Sequence, residues 1–217
     1  MKDNIEIENS LNYWNNLYEP IKRDEITMDD WLEKFDDIID KTSSPIIDLG
    51  CGKGNNALYL IQKNRKVISC DQSINAINNI KNNLPEIYQA LCFNMLEGLP
   101  FDDNYSDIII ADLCLHYFRN DDTFKIINEI KRVLKPSGHL LIRVNSINDI
   151  NFGAGKGEEI EHHLWRTDDG RLKRFFDEKD IKLFFNNFEI AYMQEKSLDR
   201  FFNIEKKIYE IHLLNTR

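Results

Sequence analysis

Short apolar runs alternate with amphipathic segments along this chain. Runs rich in Ile, Val and Leu, bounded by glycine, proline or polar residues, stand at about 46–49, 67–71, 89–93, 107–111 and at the end of 135–142. Such runs are typical of strands that are buried on both faces. Between them, apolar residues recur every three or four positions, which is the period of a helix. The pattern predicts an α/β fold with a mostly parallel sheet.

The C-terminal part of the chain follows a different pattern. Segments 188–195 and 207–214 alternate apolar and polar residues, which predicts a half-buried antiparallel hairpin. Residues 175–185 predict a short capped helix. Segment 146–176 is rich in glycine and charge and predicts no regular element, and we expect its glycine-rich part, residues 151–157, to be a flexible loop.

The N-terminal forty residues predict two helices. Residues 28–40 are amphipathic, and Tyr13, Trp14 and Tyr18 share one face of an earlier helix. These aromatic side chains either pack on the core or cover a binding site.

A glycine turn follows the first predicted strand. Gly50, Gly52 and Gly54 allow positive φ and leave backbone N–H groups open to a ligand, at the start of a helix. Asp48 precedes the turn. Asp71 ends the next predicted strand, at about the distance where nucleotide-binding folds place an acid that holds a ribose.

The segment from Asp48 to Gly54, D-x-G-x-G-x-G, resembles the first motif of the class I S-adenosylmethionine-dependent methyltransferases. The dinucleotide fingerprint does not fit, because the position of its third glycine is Asn55. Residues 135–142 resemble the L-K-P-G-G-x-L signature of the same family, with His139 at the second glycine. The C-terminal pattern hints at the UbiE and tellurite-resistance branch.

The resemblance implies one methyltransferase domain over residues 1–217. It implies a three-layer, Rossmann-like α/β sandwich with a seven-stranded, mostly parallel sheet, order 3-2-1-4-5-7-6, and an antiparallel C-terminal strand. It also implies that 1–40 form a helical lid and that 146–176 are an insertion on the substrate side.

The cofactor implied by the resemblance is S-adenosyl-L-methionine, with S-adenosyl-L-homocysteine as its product. The residues carried over as its contacts lie in or after the first four strands. They are Asp48, Gly50, Cys51, Gly52, Gly54, Asp71, Gln72, Asn94, Met95, Asp112 and Leu113.

Candidates for the reaction itself follow the fourth strand. His116 and Tyr117 are predicted to face the transferred methyl group, with His116 either a general base or a hydrogen-bonded wall residue. The candidates for substrate contact are mostly aromatic or basic. They are Tyr13, Trp14, Tyr18, His162, Trp165 and Arg166.

The net charge and the absence of certain motifs limit the kinds of partner that we expect. The net charge is −9, with no long basic run, and no N-P-P-Y-like motif follows the fourth strand, so we expect a small-molecule acceptor and consider nucleic acid an unlikely partner. We expect a cytoplasmic protein with no membrane contact, because neither a secretory signal nor a long apolar stretch is visible.

No metal site is predicted. The four cysteines form no C-x-x-C pair, and the adjacent His162 and His163 would point to opposite sides of an extended chain. Two alternative functions remain open: a non-catalytic S-adenosylmethionine-binding or regulatory module, and a nicotinamide-dependent oxidoreductase, which Asn55 disfavours.

Overall fold

A computed structural model describes residues 2–198 and 204–216 of the protein, and the side chains of residues 8–198 and 204–216. These residues form ten strands. They are β1 (Ile46–Leu49), β2 (Val67–Asp71), β3 (Gln89–Cys92), β4 (Ser106–Asp112), β5 (Leu134–Asn145), β6 (Glu158–Glu161), β7 (Leu164–Arg166), β8 (Leu172–Arg174), β9 (Glu189–Leu198) and β10 (Lys206–Leu214).

Seven of the strands form the main sheet, in the order β3-β2-β1-β4-β5-β10-β9. The first five run parallel, whereas β10 pairs antiparallel with both β5 and β9. Because β9 and β10 are the sixth and seventh strands of this sheet in chain order, the predicted order 3-2-1-4-5-7-6 is confirmed.

Six α-helices accompany the strands among the described residues. They are α1 (Lys2–Leu17), α2 (Asp36–Ile39), α3 (Asn55–Gln62), α4 (Ile74–Asn83), α5 (Asn120–Val133) and α6 (Glu178–Phe184).

Two hydrophobic clusters cover the two faces of the main sheet. Ile46, Ile108 and Ile110 pack with apolar residues of α3 and α4, whereas their neighbours Ile47 and Ile109 pack with residues of α5 and α6. This alternation is expected when successive side chains of a strand point to opposite faces. The three-layer architecture predicted from the sequence is therefore confirmed.

The predicted helix over 28–40 is shorter than expected. Only Asp36–Ile39 is α-helical, with a single turn of 3₁₀-helix at Glu33–Phe35 before it. Trp31, Phe35 and Ile39 are nevertheless buried, as the apolar spacing indicates. Burial of these side chains therefore does not require a continuous helix.

Segment 146–176, for which the sequence predicts no regular element, contains three short strands after the glycine-rich residues 151–157. Strands β6, β7 and β8 form a separate antiparallel sheet, in which Trp165 pairs with Glu159 and with Lys173. The strands are three or four residues long and lack the alternation that identifies longer strands. We call residues 158–174 the cap sheet.

None of the helices in the described part of the chain is both long and apolar enough to cross a bilayer.

Candidate functional site

The loop after β1 and the loop after β4 meet at a glycine. Gly50 has φ +64°, and a Cβ atom built on it would lie 2.4 Å from Cβ of Cys114. Any side chain at position 50 would therefore be strained and would collide with the second loop. Gly52, at φ +50°, faces the Tyr18 hydroxyl, which would lie 2.7 Å from an added Cβ. Tyr18, directly after the first helix, therefore covers the turn on this side, and only a glycine leaves room for its hydroxyl.

Asp71 is tied to this turn at the end of β2. Its Oδ2 accepts a hydrogen bond from Gly52 N at 3.0 Å, and its Oδ1 accepts one from Ser73 N at 2.9 Å. Burial raises the pKa of Asp71, and the backbone N–H groups oppose that rise. Each oxygen keeps a lone pair for a ligand.

Asp48 lies beneath the turn and is fully buried. Its Oδ1 accepts from Asn56 Nδ2 at 3.2 Å, while its Oδ2 has no hydrogen-bond partner within the described part of the chain. Burial raises the pKa of Asp48 to about 8, opposed by the Asn56 hydrogen bond and increased by the nearby Asp112 and Asp71.

Asp112, at the end of β4, is paired with Arg143 of β5. Arg143 donates from Nε and Nη2 to the two Asp112 oxygens at 2.7 and 2.6 Å, and from Nη2 to Asp29 at 2.7 Å. The Arg143 side chain is only 4% exposed. Asp112 is therefore held in one orientation by a buried ion pair.

A cavity of about 760 Å³ opens over the carboxyl ends of β1, β2 and β4. Most of the residues that the sequence predicts for the site line this cavity. They are Tyr13, Trp14, Tyr18, Gly50, Cys51, Gly52, Asp71, Gln72, Asn94, Met95, Asp112, Leu113, His116 and Tyr117.

Five predicted residues do not line the cavity. Asp48 and Gly54 lie beneath the turn, where a Cβ on Gly54 would meet Ile80 at 2.5 Å. The other three belong to the cap sheet and its turn, where each has other contacts. His162 lies near Asp180, Trp165 stacks on His163, and Arg166 pairs with Glu158.

One wall of the cavity is aromatic and comes mainly from α1. Trp14 stacks on Tyr18 with ring centroids 5.8 Å apart and contacts Tyr117 edge-on at 5.2 Å. Tyr18, predicted to contact the substrate, lines the cavity and places its hydroxyl against Gly52. Burial, and next the charge of Asp71, raise the pKa of Tyr18 well above its ordinary value.

Three cations line the end of the cavity around His116, and the sequence prediction missed them. Arg171 lies over the Tyr13 ring at 3.4 Å and pairs with Asp169. Lys173 donates to the Phe152 carbonyl, and burial, with the nearby Lys206, lowers its pKa to about 8.

Lys206, the third cation, comes from β10. Its ammonium donates to Asn145 and to Asp149, each at 2.7 Å. No sequence motif joins it to the two cations of the cap sheet, which lie more than thirty residues earlier. Only the fold brings the three together.

His116 lies at the same end of the cavity. It is 1% exposed, and its Nδ1 has no hydrogen-bond partner among residues 8–198 and 204–216. Burial, followed by the charges of Lys173, Lys206 and Arg171, lowers the pKa of His116 well below 6.5. The imidazole is therefore neutral near pH 7, and it is a better hydrogen-bond acceptor than a proton acceptor.

Comparisons with known proteins agree with this arrangement. Residues 47–142 match the family model described as a methyltransferase domain. A methyltransferase structure from Anabaena variabilis is similar over 96% of this chain and 94% of its own, with TM-score 0.68 and 18% identity. The likeness shows a shared fold.

A second solved structure carries ligands. It is 1,6-didemethyltoxoflavin-N1-methyltransferase from Burkholderia thailandensis, with 1,6-didemethyltoxoflavin and S-adenosylhomocysteine bound. The similarity covers 80% of this chain and 72% of that one, with TM-score 0.61 and 17% identity. Residues 47–142 are therefore similar to a methyltransferase domain, and the fold is one found in S-adenosylmethionine-dependent methyltransferases.

Among curated relatives, the chain is similar to the tRNA N(3)-cytidine methyltransferase METTL2 of Gallus gallus. The two are 27% identical over 148 residues, which are 63% of this chain and 40% of the relative. The chain spans less than half the length of the first curated relatives it matches.

These relatives show that the expectation of nucleic acid as an unlikely partner is wrong, because several of them act on tRNA. Net charge is a poor guide here, since the chain carries −9 overall while Arg171, Lys173 and Lys206 meet at one end of the cavity.

Replacement of Asp48 by Asn tests the electrostatics beneath the turn. The unfolded chain releases the Asp48 proton near pH 3.8, whereas the folded protein keeps it to about pH 8. Between these values Asp48 makes the free energy of unfolding fall as pH rises, by up to about 1.4 kcal/mol per unit. We expect Asp48→Asn to remove that loss. The free energy of unfolding of the variant should therefore rise, relative to that of wild type, between pH 4 and pH 8.

Urea unfolding of the ligand-free proteins at several pH values measures this difference, with exposed Asp102→Asn as the matched control. Parallel stability profiles for wild type and Asp48→Asn would show that Asp48 is ionised in the folded protein.

Proposed function

We propose that this protein transfers the methyl group of S-adenosylmethionine to a planar, electron-rich heteroaromatic ring. The observation that carries the proposal is the division of charge within one cavity. Asp71 and Asp112, the latter paired with Arg143, line the part of the cavity beside the glycine turn, whereas Arg171, Lys173 and Lys206 lie around His116.

The acidic end suits the cofactor, which carries a sulfonium and an ammonium group. Gly50 and Gly52 let backbone approach a ligand, and each Asp71 oxygen keeps a lone pair for a ribose hydroxyl. Asn94 Oδ1 already accepts Leu96 N at 3.0 Å, so one lone pair is left for an adenine amino group. We assign Gln72, Met95 and Leu113 as further contacts and Asp48 as a support for the turn.

The bound cofactor supplies a methyl group that its sulfonium already activates. The residues of this chain therefore need to align the acceptor and exclude water, and approximation alone contributes roughly 7–11 kcal/mol. Trp14, Tyr18 and Tyr117 form an apolar wall that can exclude water. We assign α1 as a lid and the cap sheet as the substrate-side element.

The cationic end suits an acceptor ring that carries carbonyl oxygens or negative charge. Arg171 and Lys173 can donate to such groups, and the neutral His116 can accept from a ring N–H. A ring nitrogen with a lone pair attacks without prior loss of a proton, so a strong general base is unnecessary. We assign His116 and Tyr117 as residues that position the acceptor.

Two sources can present such a ring: a free small molecule, or a base turned out of a nucleic acid. The names of two similar proteins support the ring, since one is a tRNA N(3)-cytidine methyltransferase and the other a 1,6-didemethyltoxoflavin-N1-methyltransferase. The four cysteines are free thiols, which fits the predicted cytoplasmic location.

Transfer from labelled cofactor decides between the sources. We expect purified protein and methyl-tritiated S-adenosylmethionine to label one of two fractions of a cell extract, the small-molecule filtrate or the purified RNA. Label that disappears after nuclease treatment identifies a nucleic acid acceptor. If the protein binds the cofactor but labels neither fraction, the non-catalytic module is the better interpretation.

Asp71→Asn tests the proposed contact with the ribose. The substitution keeps one oxygen for the backbone but removes the charge and one acceptor. We expect S-adenosylhomocysteine to bind about tenfold or more weakly, since a hydrogen bond to a charged group contributes roughly 1.5–3 kcal/mol. Calorimetric titration measures the affinity, and Asp102→Asn is the control. Unchanged affinity in folded protein would contradict the ribose contact.

Lys173→Met tests the acceptor end separately. Loss of a charged donor there should raise the KM for the acceptor about tenfold to a hundredfold and leave the affinity for S-adenosylhomocysteine unchanged. Steady-state kinetics with the labelled acceptor measure the change, and the exposed Lys156→Met on the same segment is the matched control. A weaker cofactor affinity with an unchanged acceptor KM would mean that Lys173 contacts the cofactor and not the acceptor.

A further inference from the structure

Three side chains of the types that bind metals lie close together outside the cavity, at the turn between β6 and β7. His163 Nδ1 lies 2.6 Å from Asp180 Oδ2, and His162 Nε2 lies 3.9 Å from Asp180 Oδ1. One ligand atom from each of the three residues can be chosen so that all lie within 4.8 Å of one another. No other group of this kind occurs in the described ranges.

The two imidazoles lie on the same side of the chain, contrary to the expectation for an extended segment. His163 has φ +56°, in the left-handed region, and this reverses the alternation of the strand. As a result the rings stack, with centroids 3.7 Å apart and planes 28° from parallel. The main reason for expecting no metal at the histidine pair therefore does not apply in the folded chain.

The carboxylate of Asp180 is held in place by the start of α6. Its Oδ2 accepts the backbone N–H of Asp177 at 3.0 Å, and Asp177 in turn accepts from Asp180 N at 2.8 Å. Asp180 is 5% exposed. Ligating carboxylates are typically oriented by such a second hydrogen bond.

His162 contributes little to the fold through its side chain. That side chain is 72% exposed, although the His162 carbonyl accepts from Arg174. Packing of the core therefore does not account for its position near Asp180. His163 is better enclosed, at 20% exposure, and stacks on Trp165 at 5.9 Å. One ligand is thus fixed, and the other is free to adjust.

We propose that His162, His163 and Asp180 bind a divalent transition metal of the zinc class, with solvent as the fourth ligand. Two nitrogens and one oxygen suit zinc rather than magnesium or calcium, which prefer oxygen. Tetrahedral ligands at zinc distances lie about 3.3 Å apart. Rotation of the exposed His162 ring and a small opening of the His163–Asp180 contact meet that requirement.

The metal would join the cap sheet to α6. The His162 carbonyl accepts from Arg174 at 2.9 Å, and Arg174 N donates to the His116 carbonyl at 2.7 Å. The site is therefore two hydrogen bonds from the wall of the cavity. It is a structural clamp beside the site of methyl transfer, and it does not depend on the proposed acceptor.

Calorimetric titration of the untagged protein with zinc chloride tests the site. We expect one zinc ion per chain, and a Tm that rises by roughly 5–10 °C at a hundredfold excess over Kd. His162→Gln and His163→Gln should each weaken binding about tenfold or more, because each removes one of three protein ligands. His162→Gln removes only an exposed side chain, so loss of folding should not obscure the result.

Matched variants separate this site from other zinc ligands. His162→Cys should keep zinc affinity, since a thiolate also ligates zinc. His139→Gln, in a histidine pair that lacks a carboxylate, and Cys92→Ser, at an exposed thiol, should leave binding unchanged. Absence of zinc binding by the wild type would overturn the proposal. So would equal affinity in wild type, His162→Gln and His163→Gln.

Discussion

A buried cation between two carboxylates fixes the floor of the site. The buried Arg143 side chain pairs with Asp112 and Asp29. Its guanidinium carbon lies 4.6 Å from the centroid of the Trp31 ring. Desolvation of an arginine is costly, so the arrangement is stable only while both acids are present. It therefore holds β4, β5 and the segment before the first strand in one geometry. Leu113 N also donates to the Arg143 carbonyl at 2.9 Å, so the loop that carries His116 starts from the same residue.

Much of the fold and of the acidic end of the cavity is predictable because the signals are local. The buried strands appear as contiguous apolar runs, and the glycine turn and Asp71 belong to two consecutive strands. Strands β9 and β10 alternate clearly enough to be identified as a hairpin. The sheet order then follows from the resemblance, which rests on those same local motifs.

The cationic end of the cavity could not be predicted, because tertiary structure assembles it. Arg171 and Lys173 come from the cap sheet and Lys206 from β10, and no spacing in the sequence relates the three. The cap sheet buries Leu164 and Leu172, but its strands are only three or four residues long and leave no period to detect. The positive φ of His163 could not be predicted from the sequence either, because histidine does not prefer that conformation to its usual ones.

The contact between Gly50 and Cys114 limits how the loops of this protein can be exchanged. The loop after β1 and the loop after β4 are in direct contact at Gly50 and Cys114. Neither loop can therefore be replaced by that of a relative unless the other is changed to match. Position 114 accepts only compact residues while position 50 is glycine, and a bulkier residue at 114 would push the β4 loop off the turn. Grafting a new acceptor specificity onto this scaffold therefore means transplanting both loops together.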